Sequence, residues 1–157
     1  MRATVVCASN RAAAGVYEDT TGPLIVEALS DLGFEVTGPV VVPDGEPVGE
    51  AIRAAVDDGG ARVVLTTGGT GLTPTDLTPE VTRPLLEREV PGVAEAIRAY
   101  GVRNGVPTAA LSRGLAGVRG RALVVNLPGS RGGVKDGLAV VGPLLVRAVQ
   151  QIAGSDH

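Results

Sequence analysis

Two hydrophobic periods alternate along this chain. Short, unbroken apolar runs bounded by Gly, Pro or Asp sit between longer stretches in which apolar residues return every three or four positions. ATVVCA (Ala3 to Ala8) reads as a buried first strand. The polar stretch SNRAAAGVYEDTTG (Ser9 to Gly22) reads as a loop. Pro23 reads as a first-turn residue of a helix that Gly33 ends. FEVTGPVVV (Phe34 to Val42) is predicted as a second strand, broken or bulged at Gly38-Pro39. Pro43 to Glu46 forms a turn, and Pro47 opens a helix through VGEAIRAAVDDGG. ARVVLTT (Ala61 to Thr67) is the third strand.

At its end begins TTGGTGLTPTDLTPE (Thr66 to Glu80), with three glycines, six threonines and two prolines around Asp76. Thr78 is placed to cap the next helix, with Pro79 at its first position. Two helical pieces follow, PEVTRPLLERE and PGVAEAIRAYGVRN, which their prolines keep apart. A short strand is predicted at Thr108 to Leu111. RALVVNLPG (Arg121 to Gly129) is a strand and turn, and an amphipathic helix runs from Ser130 to about Ile152, with a bend expected near Pro143. Apolar strands alternating with helices predict a mostly parallel sheet covered on both faces, within one domain of residues 1–157.

Composition narrows the chemistry. Aromatics make up 2% of the chain, so the core is built from Val, Leu, Ile and Ala. The net charge is −3 with no basic cluster, which argues against a nucleic-acid partner. Cys7 is the only cysteine and is read as core packing, and the one histidine, His157, is the last residue, read as part of a free tail. A disulfide, a cysteine-based zinc site and a Ser–His–Asp triad are thereby set aside. The N-terminal apolar run is too short for a signal peptide, and no stretch is long enough to span a membrane, so a soluble cytoplasmic protein is expected.

In folds of this kind, ligands bind beyond the carboxyl ends of the strands. Four loops fall there: Ser9 to Gly22, Pro43 to Glu46 with Asp44, Thr67 to Asp76, and Asn126 to Ser130. Gly68, Gly69, Thr70 and Gly71 form a Gly-rich turn that can either cradle an anion with its backbone amides or simply connect strand to helix. It has neither the dinucleotide GxGxxG spacing nor a Walker A lysine. With Thr78 as the cap, Asp76 is left as a candidate magnesium ligand. Asp44 in Pro-Asp-Gly is either a turn residue or a second ligand to the same metal. Ser130 caps a helix whose first amides can hold an anion. Arg113 can clamp a phosphate or serve as an ordinary loop residue.

Taken together, ASNRAAAGVYEDTTGP, VVPDGE, LTTGGTGLTPTDLTPE, TAALSRGLAG and ALVVNLPGS occur in an order and spread that resemble the molybdopterin adenylyltransferase group of the MoaB/Mog family. The resemblance implies a three-layer αβα sandwich, commonly a homotrimer, and a step in molybdenum cofactor synthesis. In that step AMP passes from ATP to molybdopterin with Mg2+, and a separate insertion partner uses the product. It assigns catalysis to Asp44, Asp76 and Ser112, with the two acids as metal ligands. Binding falls to Ser9, Gly68, Gly69, Thr70, Gly71, Thr75, Asn126, Pro128, Gly129 and Ser130. Two departures stand out: Asn10 replaces a common Asp, and Thr20 replaces a basic residue. The alternative is a non-catalytic oligomer of the same family that binds molybdopterin or acts as a scaffold.

Overall fold

The computed structural model describes residues 1–155; His157 lies outside the described residues. Six strands form one sheet: β1 (Arg2–Ala8), β2 (Glu35–Val42), β3 (Val63–Thr67), β4 (Arg88–Glu89), β5 (Ala116–Arg119) and β6 (Ala122–Leu127), in the order β2-β1-β3-β6-β5-β4. The first, second, third and sixth strands pair in parallel, while β5 runs antiparallel to both β4 and β6. The mostly parallel sheet is as expected. The antiparallel edge is not, because β4 has two residues and β5 four, too few for a period to show.

Helices cover both faces. On one side α2 (Thr21–Asp31), α5 (Pro91–Arg103) and α6 (Arg131–Ile152) pack over Val5, Leu65, Val125 and Leu127. On the other, α3 (Glu46–Arg53) and the region of α4 (Thr78–Thr82) cover Val6, Val64 and Val124. Successive residues of β1, β3 and β6 thus feed opposite cores, which is why these strands read as continuously apolar. Along α6, Val134, Val141, Leu145 and Val149 are buried at helical spacing, each adding about 1.5–3 kcal/mol by leaving water. The helix continues through Pro143.

Three local expectations are corrected. Ser9 to Gly22 is not all loop: Ser9 caps a short helix, α1 (Asn10–Ala13), its Oγ accepting the Ala12 N–H at 3.1 Å. The segment Pro107–Leu111 is a 3-10 turn rather than a strand, because it runs along α5 instead of reaching the sheet. Thr78 is the first residue of α4 rather than its cap; its hydroxyl donates to the Gly68 carbonyl at 3.0 Å. The Gly38-Pro39 irregularity is a cis peptide within a continuous β2, with a register shift against β1 between Thr4 and Val6.

Candidate active site

The parallel strands end level with one another: Cys7 pairs with Thr67, and Thr67 with Leu127. The chain crosses from β1 to β2 on one side and then returns to place β3 on the other. This leaves a crevice at the strand ends, where such sheets bind ligands. A cavity of about 320 Å³ opens there, lined by residues from all four carboxyl-end loops.

The floor is held by hydroxyls. Thr67 Oγ1 donates to the Pro128 carbonyl at 2.8 Å, joining the ends of β3 and β6. Gly68 and Gly69 have φ of 90° and 68°, and a Cβ would drive Gly68 into the Ala8 carbonyl and Gly69 into the Thr78 hydroxyl. Only glycine allows this path. Thr78 fastens both residues, its hydroxyl donating to Gly68 O and its N–H to Gly69 O at 3.0 Å. Among the described residues, the amides of Gly69, Thr70 and Gly71 donate to no protein acceptor. A turn with several uncommitted N–H groups is a nest suited to an anion.

Three carboxylates line the cavity: Asp19, Asp44 and Asp76. Asp44 follows β2, and its backbone N–H donates to Asn10 Oδ1 at 2.9 Å. Its Oδ1 is buried with no hydrogen-bond partner. Burial chiefly, and secondarily the charge of Asp76, raise its pKa above the usual aspartate value, against a lowering contact from the Asn10 backbone. Asp76 Oδ2 accepts from the Thr73 N–H at 3.0 Å and the Thr73 hydroxyl at 2.8 Å. Removing Thr78 from the cap role thus does not leave Asp76 wholly unoccupied: one oxygen closes its own loop and the other is available.

Asp19 has no sequence assignment, yet it is central. Its Oδ1 accepts the Thr21 and Gly22 N–H groups, both at 3.1 Å, so it caps α2. The Cys7 thiol donates to the same oxygen at 3.4 Å, and Asp19 Oδ2 is buried without a partner. The signal was an Asp two residues ahead of the true helix start, masked by Pro23, which suggested a later one. Cys7, buried as expected, is pushed up to about 12 by burial first and by the Asp19 charge next. It remains a thiol.

The remaining candidates divide. Ser9, Thr75 and Gly129 line the acid cavity with Gly68 and Gly69. Ser112, Pro128 and Ser130 instead line a neighbouring cavity of about 230 Å³ between α5 and the start of α6. Pro128, Gly129 and Ser130 are consecutive, so this one turn borders both. Thr70 and Gly71 lie outside both cavities: Thr70 accepts the Ser112 hydroxyl at 3.3 Å, and its carbonyl accepts the Arg113 N–H. Asn126 is buried, and its side chain accepts from Leu115 N and donates to Thr66 and Thr82 hydroxyls. It pins the interior rather than facing a ligand. Arg113 is likewise committed to the protein. Its guanidinium donates to Gly71 O, Asp76 O and both Glu80 oxygens.

Among the described residues, no set of three or more His, Cys, Asp or Glu is grouped to hold a metal alone. Two mutually repelling carboxylates, one with an orphaned buried oxygen, fit a hard cation that keeps water or substrate oxygens as its other ligands.

Fold and cleft therefore define an α/β sandwich with an acid-lined, amide-rimmed site at the carboxyl edge of its sheet. The chain belongs to the family described as "probable molybdopterin binding domain", whose model matches residues 4–147. A molybdopterin adenylyltransferase of Helicobacter pylori is 36% identical over 96% of this chain and 87% of its own length. The structure of the molybdopterin biosynthesis Mog protein from Mycobacterium ulcerans is 49% identical with a TM-score of 0.90, covering 96% of this chain and 98% of that one. The Drosophila melanogaster molybdenum cofactor synthesis protein cinnamon is 39% identical, but the chain spans only 23% of its length. No helix among the described residues is long and apolar enough to cross a membrane.

Proposed function

We propose that this chain is a cytoplasmic molybdopterin adenylyltransferase working as one domain of residues 1–157, commonly in a homotrimer, and passing its product to an insertion partner. The observation that carries this reading is the meeting of Asp44, Asp76 and the Gly68–Gly69 turn in one cavity. In the reaction, a phosphate oxygen of molybdopterin attacks the α-phosphorus of ATP. A new P–O bond forms, the bond to the β-phosphate breaks, and pyrophosphate leaves. Both substrates are anionic, and the nucleophile is already ionised at neutral pH, so no general base is needed. The protein's task is alignment and charge stabilisation.

Each residue then has a task. Asp44 and Asp76 would hold Mg2+, which when bound offsets phosphate charge. The free N–H groups of the Gly69–Gly71 turn would donate to phosphate oxygens, Gly69 from within the cavity lining. The Pro128–Ser130 turn lies between the acid cavity and the Ser112 cavity, which suits two substrates meeting at one turn, with Ser112 a hydrogen-bond donor on the second side. The departures from the family pattern are absorbed. Asn10 accepts the Asp44 N–H through an oxygen that Asp would also supply, and Arg131 reaches the Thr20 carbonyl at 3.3 Å, bringing a cation to where a basic residue is missing. Purified protein with molybdopterin and MgATP is expected to release pyrophosphate. No release above an Asp76→Ala background would refute the enzymatic reading and leave the non-catalytic one.

A further inference from the structure

The acid cavity is lined by three carboxylates and a single basic side chain, Arg11. Arg11 sits in α1, and its guanidinium carbon lies 5.2 Å from the centroid of the Tyr17 ring. Tyr17 is fixed in turn, its hydroxyl 2.9 Å from Ser9 Oγ, the same oxygen that caps α1. Among the described residues, Arg11 makes no side-chain hydrogen bond or ion pair. A guanidinium held over an aromatic face is attracted by the ring without spending its N–H donors on a protein acceptor. Its stem is therefore ordered without using the donors that recognise a planar pair of oxygens.

We propose that Arg11 is a substrate-contacting residue of this site, held by Tyr17 to receive a phosphate group of a phosphate ester in bidentate fashion. Resting on the reading that the cavity takes phosphate esters, the assignment deepens it. A cavity with three acids repels polyanions, and a cation held by two of them only partly corrects this. Arg11 supplies positive charge from within the cavity lining, whose other charged residues are carboxylates. Two esters fit the chemistry, the nucleotide polyphosphate and the pterin phosphate.

The test is equilibrium binding of MgATP, adenosine and molybdopterin to the full chain and to Arg11→Ala, Arg11→Lys and Tyr17→Leu. Isothermal titration calorimetry is the readout, because Tyr17→Leu removes one of the chain's two tyrosines. Arg11→Ala is expected to weaken at least one phosphate ester by about tenfold or more. Adenosine should be unaffected, Arg11→Lys should recover part of the loss, and Tyr17→Leu should fall between. Loss confined to MgATP assigns the nucleotide, and loss confined to molybdopterin assigns the pterin phosphate. Unchanged binding of both esters by Arg11→Ala overturns the proposal, as does a wild type that binds neither. Arg11-dependent ester binding without pyrophosphate release sustains it while refuting the adenylyltransferase reading. Release with no Arg11 dependence does the reverse.

Discussion

Two arginines flank the same carboxylates and are used in opposite ways. Arg113 is fully engaged, tying the Gly71 and Asp76 carbonyls and Glu80 into a brace behind the Gly-rich loop. Arg11, on the strap from Ser9 to Tyr17, rests on an aromatic face with its donors uncommitted. The brace turns charge into structure, so the loop carrying Gly68, Gly69 and Asp76 keeps its shape with nothing bound. The strap keeps charge available for a ligand. The sequence singles out Arg113 as a possible phosphate clamp and assigns nothing to Arg11. What separates them is whether a carboxylate and carbonyls lie within reach.

The comparison breaks most sharply at the acids both regions surround. Asp76→Ala or Asp44→Asn is expected to lower turnover about 10³-fold or more, read as pyrophosphate release, because the charge that would organise the phosphates is lost. Arg113→Ala comes next: loss of two carbonyl contacts costs about 1–3 kcal/mol and lowers Tm by several degrees, with the surface pair to Glu80 adding little. Arg113→Lys should rescue poorly, since a point charge cannot span three acceptors. Arg11→Ala, by contrast, should leave Tm within about 1 °C of wild type. That pairing, a stability loss on one side and a binding loss on the other, is the signature of brace against strap.

Smaller effects sharpen the picture. Asp44 has its pKa raised by folding, so its charged form destabilises the fold, and the penalty appears only as pH rises through that pKa. Asp44→Asn should therefore raise Tm slightly at pH 8 and by less at pH 4, as calorimetry would show. By the same sign, Asp44 in the metal-free protein should titrate above the ordinary aspartate value of 3.8, which an NMR pH titration would show. Cys7, with a pKa of about 12 and buried, should resist alkylation by iodoacetamide at pH 8 until the protein is unfolded.

The legible parts of this molecule share a cause. β1, β2, β3 and β6 and the long helices are written in periodic apolar residues, and Asp44 and Asp76 stand at turns those elements define. The illegible parts depend on contacts between distant loops. Asp19's cap on α2 is local and was masked by Pro23, but its contact with the Cys7 thiol shows only once β1 and α2 are side by side. Asn126 stands one position too early: it is still within β6, where its side chain meets Thr66 and Thr82 instead of a ligand. Ser112 faces a second cavity because Pro107–Leu111 packs along α5 rather than entering the sheet.

The central claim is that Asp44, Asp76 and the Gly-rich turn form one phosphate-transfer site. Pyrophosphate release from MgATP with authentic molybdopterin tests it most directly, run on wild type and on Asp76→Ala of matched Tm. The account predicts molybdopterin-dependent release by the wild type and background release by the variant. Equal release from the two proteins, or none from either, would contradict it.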